Sequence, residues 1–404
     1  MQTDILVTHP YKHHVLNLAA GCAASGLRTS LAVPFYRKGL GSVVALAPGA
    51  IGRKARGYHH DGLGPARIEQ SPAWQIRKLA SFLGNPRSIE GPYDRYVAAK
   101  LLRREWSARI VVTLQDHMPE TSAAAKKSGA LLWSDQIINL SASAMARIDG
   151  HSRALGGGMH AGHSEESNTR ILSRADIITV PSGYTRQGIA ERIPAAARVY
   201  CVPYGVDAGR FDVPRRAEPG FFTVVVRANL IRKGGHLVLE TILRSHQQWA
   251  SLAHPRRLRF HFLGACEPAL AELFSRVSQL TTVSVQQGDI PAEDVPALFS
   301  RADCFLMPTL SESMSLACVE AMQAGLPLLI TEFAGIDRFV PGEMGLLIED
   351  NVASIEAAIT RCLANPGQLA RWSEAARGAA ANLSWRDYEC AIAAICRDAL
   401  GVAA

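Results

Sequence analysis

Short apolar runs alternate with helix-like stretches along the first half of the chain. The apolar runs at 4–9 and 108–115 lead into helix-like stretches at 14–26 and 119–129, each of which ends at a glycine. Further apolar runs follow at 29–34, 130–135 and 175–182. This alternation of predicted strands and helices indicates a parallel sheet with helices on both faces.

The same pattern starts again after residue 205. Strand-like runs occupy 221–227, 258–264, 283–288, 304–309 and 326–331, with helix-like stretches between them. The span 204–220 is rich in Asp, Pro and Gly and is predicted to be the linker. The pattern predicts an α/β protein with two doubly wound, Rossmann-like domains, residues 1–204 and 205–384. Such sheets bind ligands at the carboxyl ends of their strands, so two facing domains imply a cleft between them.

Two basic segments of the first half need separate interpretation. The glycine-rich segment 36–67 is predicted to be a long, mobile loop. The segment 71–87 predicts an amphipathic helix whose basic residues Arg77 and Lys78 fall away from its apolar stripe. That stripe consists of Ile76, Leu79, Ala80 and Leu83. The helix can either pack inside the domain or rest on an anionic bilayer, and the sequence leaves both open.

Composition places the chain among globular proteins with sizeable cores. Its 404 residues are 48% hydrophobic, yet no run of about eighteen apolar residues predicts a membrane-spanning helix. The first residues lack the pattern of a signal peptide. The eight cysteines form no C-x-x-C pair and show no metal-like spacing with histidine. We therefore expect a cytoplasmic protein with reduced, mostly buried thiols.

Charge differs between the two halves. Residues 1–200 hold 25 Lys and Arg against 14 Asp and Glu, whereas residues 201–404 hold 18 against 22. A basic half indicates an acidic partner such as anionic lipid or an anionic substrate, although a solvated basic surface is equally typical. No nucleic-acid-binding motif is present, and no G-x-G-x-x-G follows either domain's first strand. Nucleic-acid and nicotinamide binding are therefore disfavoured.

Two glutamates flank an apolar segment of the second half. Glu312 stands before a predicted helix that Gly325 ends, and Glu320 lies on its second turn, about 10–12 Å away by helix rise. Backbone N–H groups from Met314 to Leu316 would lie at the positive helix end, which suits a phosphate. The carboxylates would suit the hydroxyl groups of a sugar-like ligand. Helix capping and simple exposure are the alternative.

Two cations follow the first strand of the second half. Arg227 ends the run 221–227, and Lys233 lies six residues later, just before a predicted helix. Cations at the carboxyl edge of a parallel strand are well placed to bind a diphosphate. Because both pairs of residues follow strands of one sheet, we expect the two sites to face the same ligand.

These motifs resemble the nucleotide-sugar domain of the family 4 retaining glycosyltransferases, which have the GT-B architecture. The resemblance covers about 200–390 and rests on "YGVDAGRF", "VRANLIRKGG", "FLGA", "QQGDIPAEDVPALFSRADCFLMPT", "ESMSLACVEAMQAGLPLLITEFAGIDRFVPGEMGLLIED" and "LSWRDYECAIAAI". It implies transfer of a hexose or N-acetylhexosamine from a nucleotide diphosphate sugar, with UDP favoured over GDP and no cofactor. It also implies that the last helix, about 385–404, packs back on the first domain.

The resemblance assigns roles to the residues of the second half. Arg227 and Lys233 would bind the diphosphate and stabilise the leaving group, so that no metal is required. Glu320 would accept hydrogen bonds from the ribose, and Glu312 would hold the transferred sugar. The backbone of Met314, Ser315 and Leu316 would contact sugar and phosphate. No enzymic nucleophile is expected.

Several positions depart from the family pattern. The family usually has glycine where Ser315 stands, and a glutamate near Arg338, for which Asp337 could substitute. The first turn, "THPYKHHV", lacks the usual Gly-Gly pair but is similar to the H-P-G-K-Q-H turn of one branch. There Lys12 would reach the diphosphate or an acidic acceptor. His13 and His14 would assist proton transfer.

A histidine that contacts the donor sugar in the family is replaced here. The chain has Asp135 at the corresponding strand end, while Asp116 and His117 follow another strand. Asp135 and His117 are both candidates for this role, and Asp116 is a candidate on the acceptor side.

The predicted function is therefore sugar transfer to an acceptor hydroxyl in the synthesis of cell-envelope glycan, glycolipid or polysaccharide. The acceptor would be a glycan, a lipid-linked or a small molecule, and the protein would work at the inner face of the cytoplasmic membrane. Two alternatives stay open. One is a catalytically silent protein that binds a nucleotide-sugar or lipid, and the other is a GT-B nucleotide-sugar epimerase.

Overall fold

The computed structural model describes residues 1–83, 86–155 and 165–402. The first domain contains a sheet of seven parallel strands in the order β3-β2-β1-β4-β5-β6-β7. Its strands are β1 (Ile5–Thr8), β2 (Thr29–Ala32), β3 (Arg67–Glu69), β4 (Ile110–Leu114), β5 (Leu131–Asp135), β6 (Ile177–Val180) and β7 (Arg198–Cys201).

Nine helices accompany this sheet within the described residues. They are α1 (Val15–Ala24), α2 (Leu40–Ala45), α3 (Gly49–Arg56), α4 (Pro72–Leu83), α5 (Glu90–Leu102), α6 (Pro119–Lys127), α7 (Ala142–Ala154), α8 (Glu165–Leu172) and α9 (Gly183–Ile189).

The second domain repeats the architecture with six parallel strands in the order β10-β9-β8-β11-β12-β13. After α10 (Ala208–Phe211) its elements are β8 (Phe221–Val226), α11 (Gly235–Ala253), β9 (Arg257–Leu263), α12 (Ala271–Ser278), β10 (Val283–Gly288), α13 (Val295–Arg301), β11 (Cys304–Met307), α14 (Leu316–Gln323), β12 (Leu328–Ile330), β13 (Gly345–Leu347), α15 (Val352–Ala364), α16 (Pro366–Ala380) and α17 (Trp385–Leu400).

The burial of the central strands explains why the sequence pattern predicts them. Every residue of β1, β4 and β11 is buried, as expected for strands covered by helices on both faces. The neighbours β1 and β4 pair with Ile5 opposite Ile110, which brings their carboxyl ends side by side. The predicted α/β class with two doubly wound domains is confirmed.

Three short strands escaped prediction. β3, β7 and β13 have three or four residues and lie at sheet edges, where one side of each strand meets no partner strand. Their residues are mostly half-buried or exposed, so their sequences lack the continuous apolar run of a central strand.

The prediction of a long loop at 36–67 is wrong in its main feature. The segment forms the helices α2 and α3 and a single 3-10 turn at Asp61–Leu63. Phe35 and Ala55 belong to one small buried cluster that anchors the segment. The hydroxyl of Tyr36 adds a contact with Nδ1 of His59 at 3.2 Å. Glycines in this segment begin helices, which composition alone cannot distinguish from a loop.

The helix expected at 71–87 exists as α4, but it presents a different face. Trp74 and Lys78 are buried, whereas Ile76 and Ala80 of the predicted apolar stripe are exposed. The prediction that Lys78 points away from the core is therefore wrong, and its ammonium lies 4.7 Å from the centre of the Tyr11 ring. Of the other two positions of the predicted stripe, Leu79 is half-buried, and the side chain of Leu83 lies outside the described part of the chain.

The last helix, α17, packs against α1 of the first domain. A side chain at Gly21 would place its Cβ 2.7 Å from Cβ of Ile392, so the close approach of the two helices requires glycine there. Among the described residues, no helix combines the length and the apolar composition that crossing a membrane requires.

Candidate active site

A cleft of about 650 Å³ lies between the carboxyl ends of the two sheets. This volume falls within the range of small-molecule sites, about 300–1,000 Å³. Loops after β1, β5, β8, β9, β10 and β11 line it, so both domains contribute. Among the sequence-predicted residues, those lining the cleft are Lys12, His13, His14, Arg227, Lys233, Glu312, Met314, Ser315, Leu316 and Glu320.

Glu312 lies between two cations at the base of the cleft. Its Oε1 is 3.0 Å from Nη1 of Arg232 and 3.2 Å from Nζ of Lys233. Burial alone would raise the pKa of Glu312, but these cations outweigh it and lower the pKa to about 2. Burial is also the largest influence on Lys233, whose pKa it lowers, while Glu312 opposes that shift. The glutamate is therefore ionised.

Arg232 contacts the candidate site and was not among the residues predicted from the sequence. It lies in the 3-10 turn Ile231–Lys233 directly after β8, and its guanidinium also donates to the carbonyl of Ser311. In the sequence it looks like an ordinary surface residue beside Lys233. Only the fold reveals that the turn directs both cations towards Glu312.

Arg227 faces the same space from the end of β8. Its Nη1 donates to the carbonyl of Leu263 at 2.6 Å, and Gly264 lies directly beside it with φ +98°. Arg227, Arg232 and Lys233 together bring three positive charges against the single charge of Glu312. The cleft therefore carries an excess of positive charge that suits an anionic ligand.

Glu320 lies one turn into α14 on the same side of the cleft. Burial raises its pKa to about 7, and the cations Arg210 and Arg227 offset only part of this effect. The carboxyl group is thus poised to change charge near neutral pH. A ligand whose hydroxyl groups donate to it would favour the ionised form.

The start of α14 offers backbone donors to the cleft. Within the described residues, the N–H groups of Met314, Leu316 and Ala317 have no hydrogen-bond partner. The expectation for Ser315 needs correction, because its N–H donates to the carbonyl of Ala334 at 2.9 Å. Its hydroxyl instead caps the helix by accepting from the N–H of Cys318.

The first domain contributes a buried imidazole–carboxylate pair. Nε2 of His14 lies 2.6 Å from Oδ2 of Asp135, and the hydroxyl of Thr179 donates to the other oxygen of that carboxylate. Asp135 is 2% exposed and is absent from the lining of the cleft. His14 lines the cleft and packs against the Tyr204 ring, with ring centres 4.4 Å apart.

His117 and Asp116 lie deeper, at the carboxyl end of β4. Nδ1 of His117 is 2.9 Å from Oε1 of Glu90, and Nε2 is 3.9 Å from Asp116. Neither residue lines the cleft. The preceding residue, Gln115, has φ +43° and its side-chain oxygen accepts from the N–H groups of Ile137 and Ile138, which fixes the loop after β5.

Asp337 also lies away from the cleft lining. Its Oδ2 accepts from the N–H of Gly183 at the start of α9, 2.8 Å away, so it joins the two domains. A second contact between the domains is made by Arg147 of α7, which donates to the carbonyl of Leu310 at 3.2 Å and stacks on Phe333. These contacts hold the loop that carries Glu312 against the first domain.

Comparison with known proteins gives a consistent result. Residues 222–365 match the family model described as Glycosyl transferases group 1. A GDP-mannose-dependent alpha-(1-6)-phosphatidylinositol monomannoside mannosyltransferase of Mycolicibacterium smegmatis is 27% identical over 237 residues. That match covers 54% of this chain and 61% of the relative, so the chain spans less than two thirds of its length.

Two solved structures extend the similarity to both domains. A sucrose-phosphate synthase from Thermosynechococcus elongatus aligns with a TM-score of 0.68 at 15% identity, covering 99% of each chain. HepE of Anabaena, solved in complex with UDP-glucose, aligns with a TM-score of 0.64 at 14% identity, covering 98% of this chain and 100% of the other. Residues 222–365 thus match the glycosyl transferases group 1 family, and the chain as a whole has the GT-B fold.

Proposed function

We propose that this protein is a retaining glycosyltransferase that moves a hexose or N-acetylhexosamine from a nucleotide diphosphate sugar to an acceptor hydroxyl. The observation that carries the proposal is the grouping of Arg227, Lys233, two glutamates and the open N–H groups of α14 in one cleft, with Arg232 paired to one of those glutamates. A diphosphate sugar offers the matching groups, namely phosphate charge, ribose hydroxyls and sugar hydroxyls.

The donor would lie across the start of α14. Arg227 and Lys233 would bind the diphosphate, with Met314 and Leu316 donating their N–H groups to it. Glu320 would accept hydrogen bonds from the ribose, and Glu312 from the transferred sugar. The ion pairs of Glu312 fix its carboxylate in place before a donor arrives, which lowers the cost of ordering it.

Transfer would break the bond between the anomeric carbon and the diphosphate oxygen and form one to the acceptor oxygen. The acceptor's proton would pass to the departing phosphate on the same face of the sugar, which retains the anomeric configuration. Charge builds up on the leaving diphosphate, where the cations stabilise it without a metal ion at that position. His14, held by Asp135, lines the opposite wall and would orient the acceptor hydroxyl.

The nucleotide base is the least constrained part of the donor. The Mycolicibacterium relative is named for GDP-mannose, and the Anabaena structure was solved with UDP-glucose. We favour UDP, because the matching structure covers both domains whereas the relative matches about half of this chain. We propose no cofactor, because the reaction needs only its two substrates, the nucleotide-sugar donor and the acceptor.

We further propose that the acceptor is a lipid-linked or glycan molecule of cell-envelope synthesis and that the protein works at the cytoplasmic membrane surface. Three apolar side chains of the first domain are strongly exposed, Val43 at 66%, Leu46 at 84% and Ile76 at 59%. Val43 lies on α2, Leu46 directly follows that helix and Ile76 lies on α4, which packs against α2. Exposed cations, among them Lys38 and Arg77, accompany them. Apolar side chains beside basic ones suit an anionic bilayer surface.

Flotation with anionic and neutral liposomes tests this second proposal. The wild type should float with anionic vesicles and lose that property in high salt and in the variant Leu46→Ser combined with Ile76→Ser. Failure of the wild type to bind anionic vesicles would remove the membrane proposal and leave a dissolved acceptor.

A thermal-shift panel with UDP, GDP, ADP, CMP and dTDP tests the donor site. A nucleotide at 100 times its dissociation constant should stabilise the protein by about 2.7 kcal/mol. One nucleotide should raise the melting temperature of the wild type, and the shift should shrink in Glu320→Ala. The matched control is Glu343→Ala, which removes an exposed glutamate of the same domain. If no nucleotide stabilises the wild type, the donor proposal is wrong.

Product analysis separates the transferase from its alternatives. Incubation of the matching nucleotide-sugar with an envelope lipid extract should yield a glycosylated lipid, and the configuration of the new bond is read by NMR. Conversion of the nucleotide-sugar to its epimer without any acceptor would instead identify an epimerase. Tight nucleotide binding with no sugar released to any acceptor would identify a silent binding protein.

A further inference from the structure

We propose that His9, His13 and His117 form a binding site for one divalent transition-metal ion of the zinc class beside the cleft. His9 follows β1, and His117 follows β4, the neighbouring strand of the sheet. His13 stands two residues before α1. Parallel neighbours therefore deliver two imidazoles to one edge, and the loop after β1 folds the third over them.

The three rings converge closely enough to share an ion. One nitrogen of each ring lies within 4.8 Å of one nitrogen of the other two. The ring centre of His9 is 5.0 Å from that of His13 and 5.0 Å from that of His117. Ligands of tetrahedral zinc, with Zn–N bonds of about 2.0–2.1 Å, lie about 3.3 Å apart. Small side-chain rotations close this gap, and His13 is exposed and can make them.

His9 supplies the independent sign that something is bound. Its side chain is fully buried, and neither ring nitrogen has a hydrogen-bond partner among the residues that the structure describes. A buried imidazole without any hydrogen bond is costly, because both nitrogens lose their contact with water. A metal ion would satisfy one of these nitrogens, and a neutral imidazole is the form that metals bind.

Carboxylates next to the cluster supply the outer contacts of a metal site. Glu90 lies 2.9 Å from Nδ1 of His117 and also accepts a hydrogen bond of 2.6 Å from the Tyr11 hydroxyl. A carboxylate that accepts from one ring nitrogen orients the imidazole and leaves the lone pair on the other for a metal. Asp116, 3.9 Å from Nε2 of His117, adds a second negative charge.

The charge of Lys78 must be weighed against these carboxylates. Lys78 of α4 places its ammonium 4.7 Å from the Tyr11 ring. Glu90 and Asp116 carry two negative charges near the cluster against the one positive charge of Lys78, which favours a divalent cation.

The position of the site indicates which ligand would complete it. His13 lines the cleft on the wall opposite the cations of the second domain. Three imidazoles leave a fourth coordination position open, as in metal sites that bind a water or a substrate oxygen. An oxygen of the acceptor would occupy that position. This last step rests on the proposed function, whereas metal binding itself does not.

Titration of the untagged, metal-free protein with Zn²⁺ and Co²⁺ tests the site without any substrate. Calorimetry should give one Zn²⁺ per chain, and Co²⁺ should give the visible absorption of a four-coordinate ion. His13→Gln and His117→Gln should each weaken Zn²⁺ binding by more than tenfold. Glu90→Gln should weaken it by about 10–100-fold, as loss of an outer contact does. The matched control, His59→Gln, changes a histidine that lies 3.0 Å from Asp61 in the same domain and should bind like the wild type.

Equal Zn²⁺ affinity in the wild type and in His13→Gln would overturn the proposal. Loss of Zn²⁺ binding in His59→Gln, with binding kept in the other variants, would also overturn it. Since His13 is exposed, its substitution should leave folding intact, and the melting temperature of each variant checks this. The nucleotide thermal shift is measured separately. A metal site without nucleotide binding would refute the donor proposal alone, and nucleotide binding without a metal would refute this inference alone.

Discussion

Nε2 of His14 and Oδ2 of Asp135 lie 2.6 Å apart, which joins the start of α1 to the carboxyl end of β5. The imidazole lines the cleft, whereas the carboxylate is buried behind it. The sequence made Asp135 one of two candidates for contacting the donor sugar, beside His117. Its placement makes it a residue that would act through His14, by fixing which ring nitrogen carries the proton and where the ring points.

We expect Asp135→Asn to lower turnover while it leaves nucleotide binding intact. The amide keeps the size of the carboxylate but holds the imidazole less firmly, and misplacement of a group near the reacting atoms can cost about 10²-fold. Steady-state kinetics should give a lower kcat, and the nucleotide thermal shift should match the wild type. Thr179→Val, which removes the hydroxyl that donates to the same carboxylate, should produce a smaller effect in the same direction. Unchanged kcat in Asp135→Asn would show that His14 needs no such support.

Glu320 should make nucleotide binding depend on pH. Burial raises the pKa of this group to about 7, so it is mostly protonated below pH 7 and mostly ionised above it. Because ribose hydroxyls would donate to the ionised form, affinity should fall as pH drops below 7, by up to about tenfold per pH unit. Calorimetric titration between pH 5.5 and pH 8.5 (roughly the range in which the fold should persist) measures this dependence.

The variant Glu320→Gln separates this effect from ionisation of the nucleotide itself. It cannot change charge, so any remaining pH dependence belongs to the phosphates. The free protein offers a second check, with the opposite sign. A carboxyl group whose pKa is raised in the folded state binds more protons there, so the wild type should lose stability as pH rises from about 4.5 to 7. Glu320→Gln should lack this loss.

The central architecture could be read from the sequence because it depends on long apolar runs and punctuating glycines. Foreseen strands such as Ile5–Thr8 and Leu328–Ile330 are buried along their whole length, and burial of that kind leaves a continuous apolar signature. Edge strands such as Gly345–Leu347 leave none. The segment 36–67 folded into helices because tertiary contacts of Phe35 and Ala55 outweigh the low helix propensity of its glycines.

The sequence predicted those site residues whose position follows from the backbone alone. It did not predict those that reach the site only because of the direction in which their side chains point. Glu312, Lys233 and Glu320 follow strands or lie on a helix turn that faces the cleft, so spacing was sufficient. Arg232 and Glu90 act through contacts between segments that are distant in sequence, 79 residues apart for Arg232 and Ser311. The burial of Lys78 could not be predicted from the sequence either. Its helix packs the face with Trp74 and Lys78 against the core, whereas Ile76 of the predicted apolar stripe is exposed.

Arg232→Ala should destabilise the protein through Glu312. The substitution removes one of two cations beside a buried carboxylate, and we expect a loss of about 1–3 kcal/mol at pH 7. The lowered pKa of Glu312, about 2, means that its contribution is present above pH 4.5 and is lost as pH falls towards 2. Urea unfolding at pH 7 and pH 4 should therefore give a smaller difference between variant and wild type at the lower pH.

The control for this prediction is Arg244→Ala. It removes an arginine that is 64% exposed and pairs with Glu356 on the surface of the same domain. Exposed pairs contribute about 0–1 kcal/mol, so its effect should be small at both pH values. A loss in Arg232→Ala no larger than that of the control would mean that Lys233 alone neutralises Glu312.

Gly264→Ala should weaken binding of the diphosphate without affecting the nucleoside. The Cβ of alanine would lie 2.5 Å from Nη1 of Arg227, so the guanidinium must move, and φ +98° is unfavourable for any residue with a side chain. The proposed cation of the diphosphate site would thus be displaced while Glu320 stays in place. Calorimetry with the matching nucleoside diphosphate and nucleoside should give a loss of about tenfold or more for the diphosphate, which corresponds to one or two weakened charged hydrogen bonds.

Gly288→Ala is the matched substitution, because a Cβ there meets nothing within 4 Å and the carbonyl of Gly288 accepts from the N–H of Gly264. It should bind both ligands like the wild type. Equal losses for nucleoside and diphosphate in Gly264→Ala would point to a general distortion of the β9 end, since displacement of Arg227 alone affects only the ligand that carries phosphate. A loss confined to the diphosphate would locate the phosphates at Arg227, and with them the orientation of the donor across the start of α14.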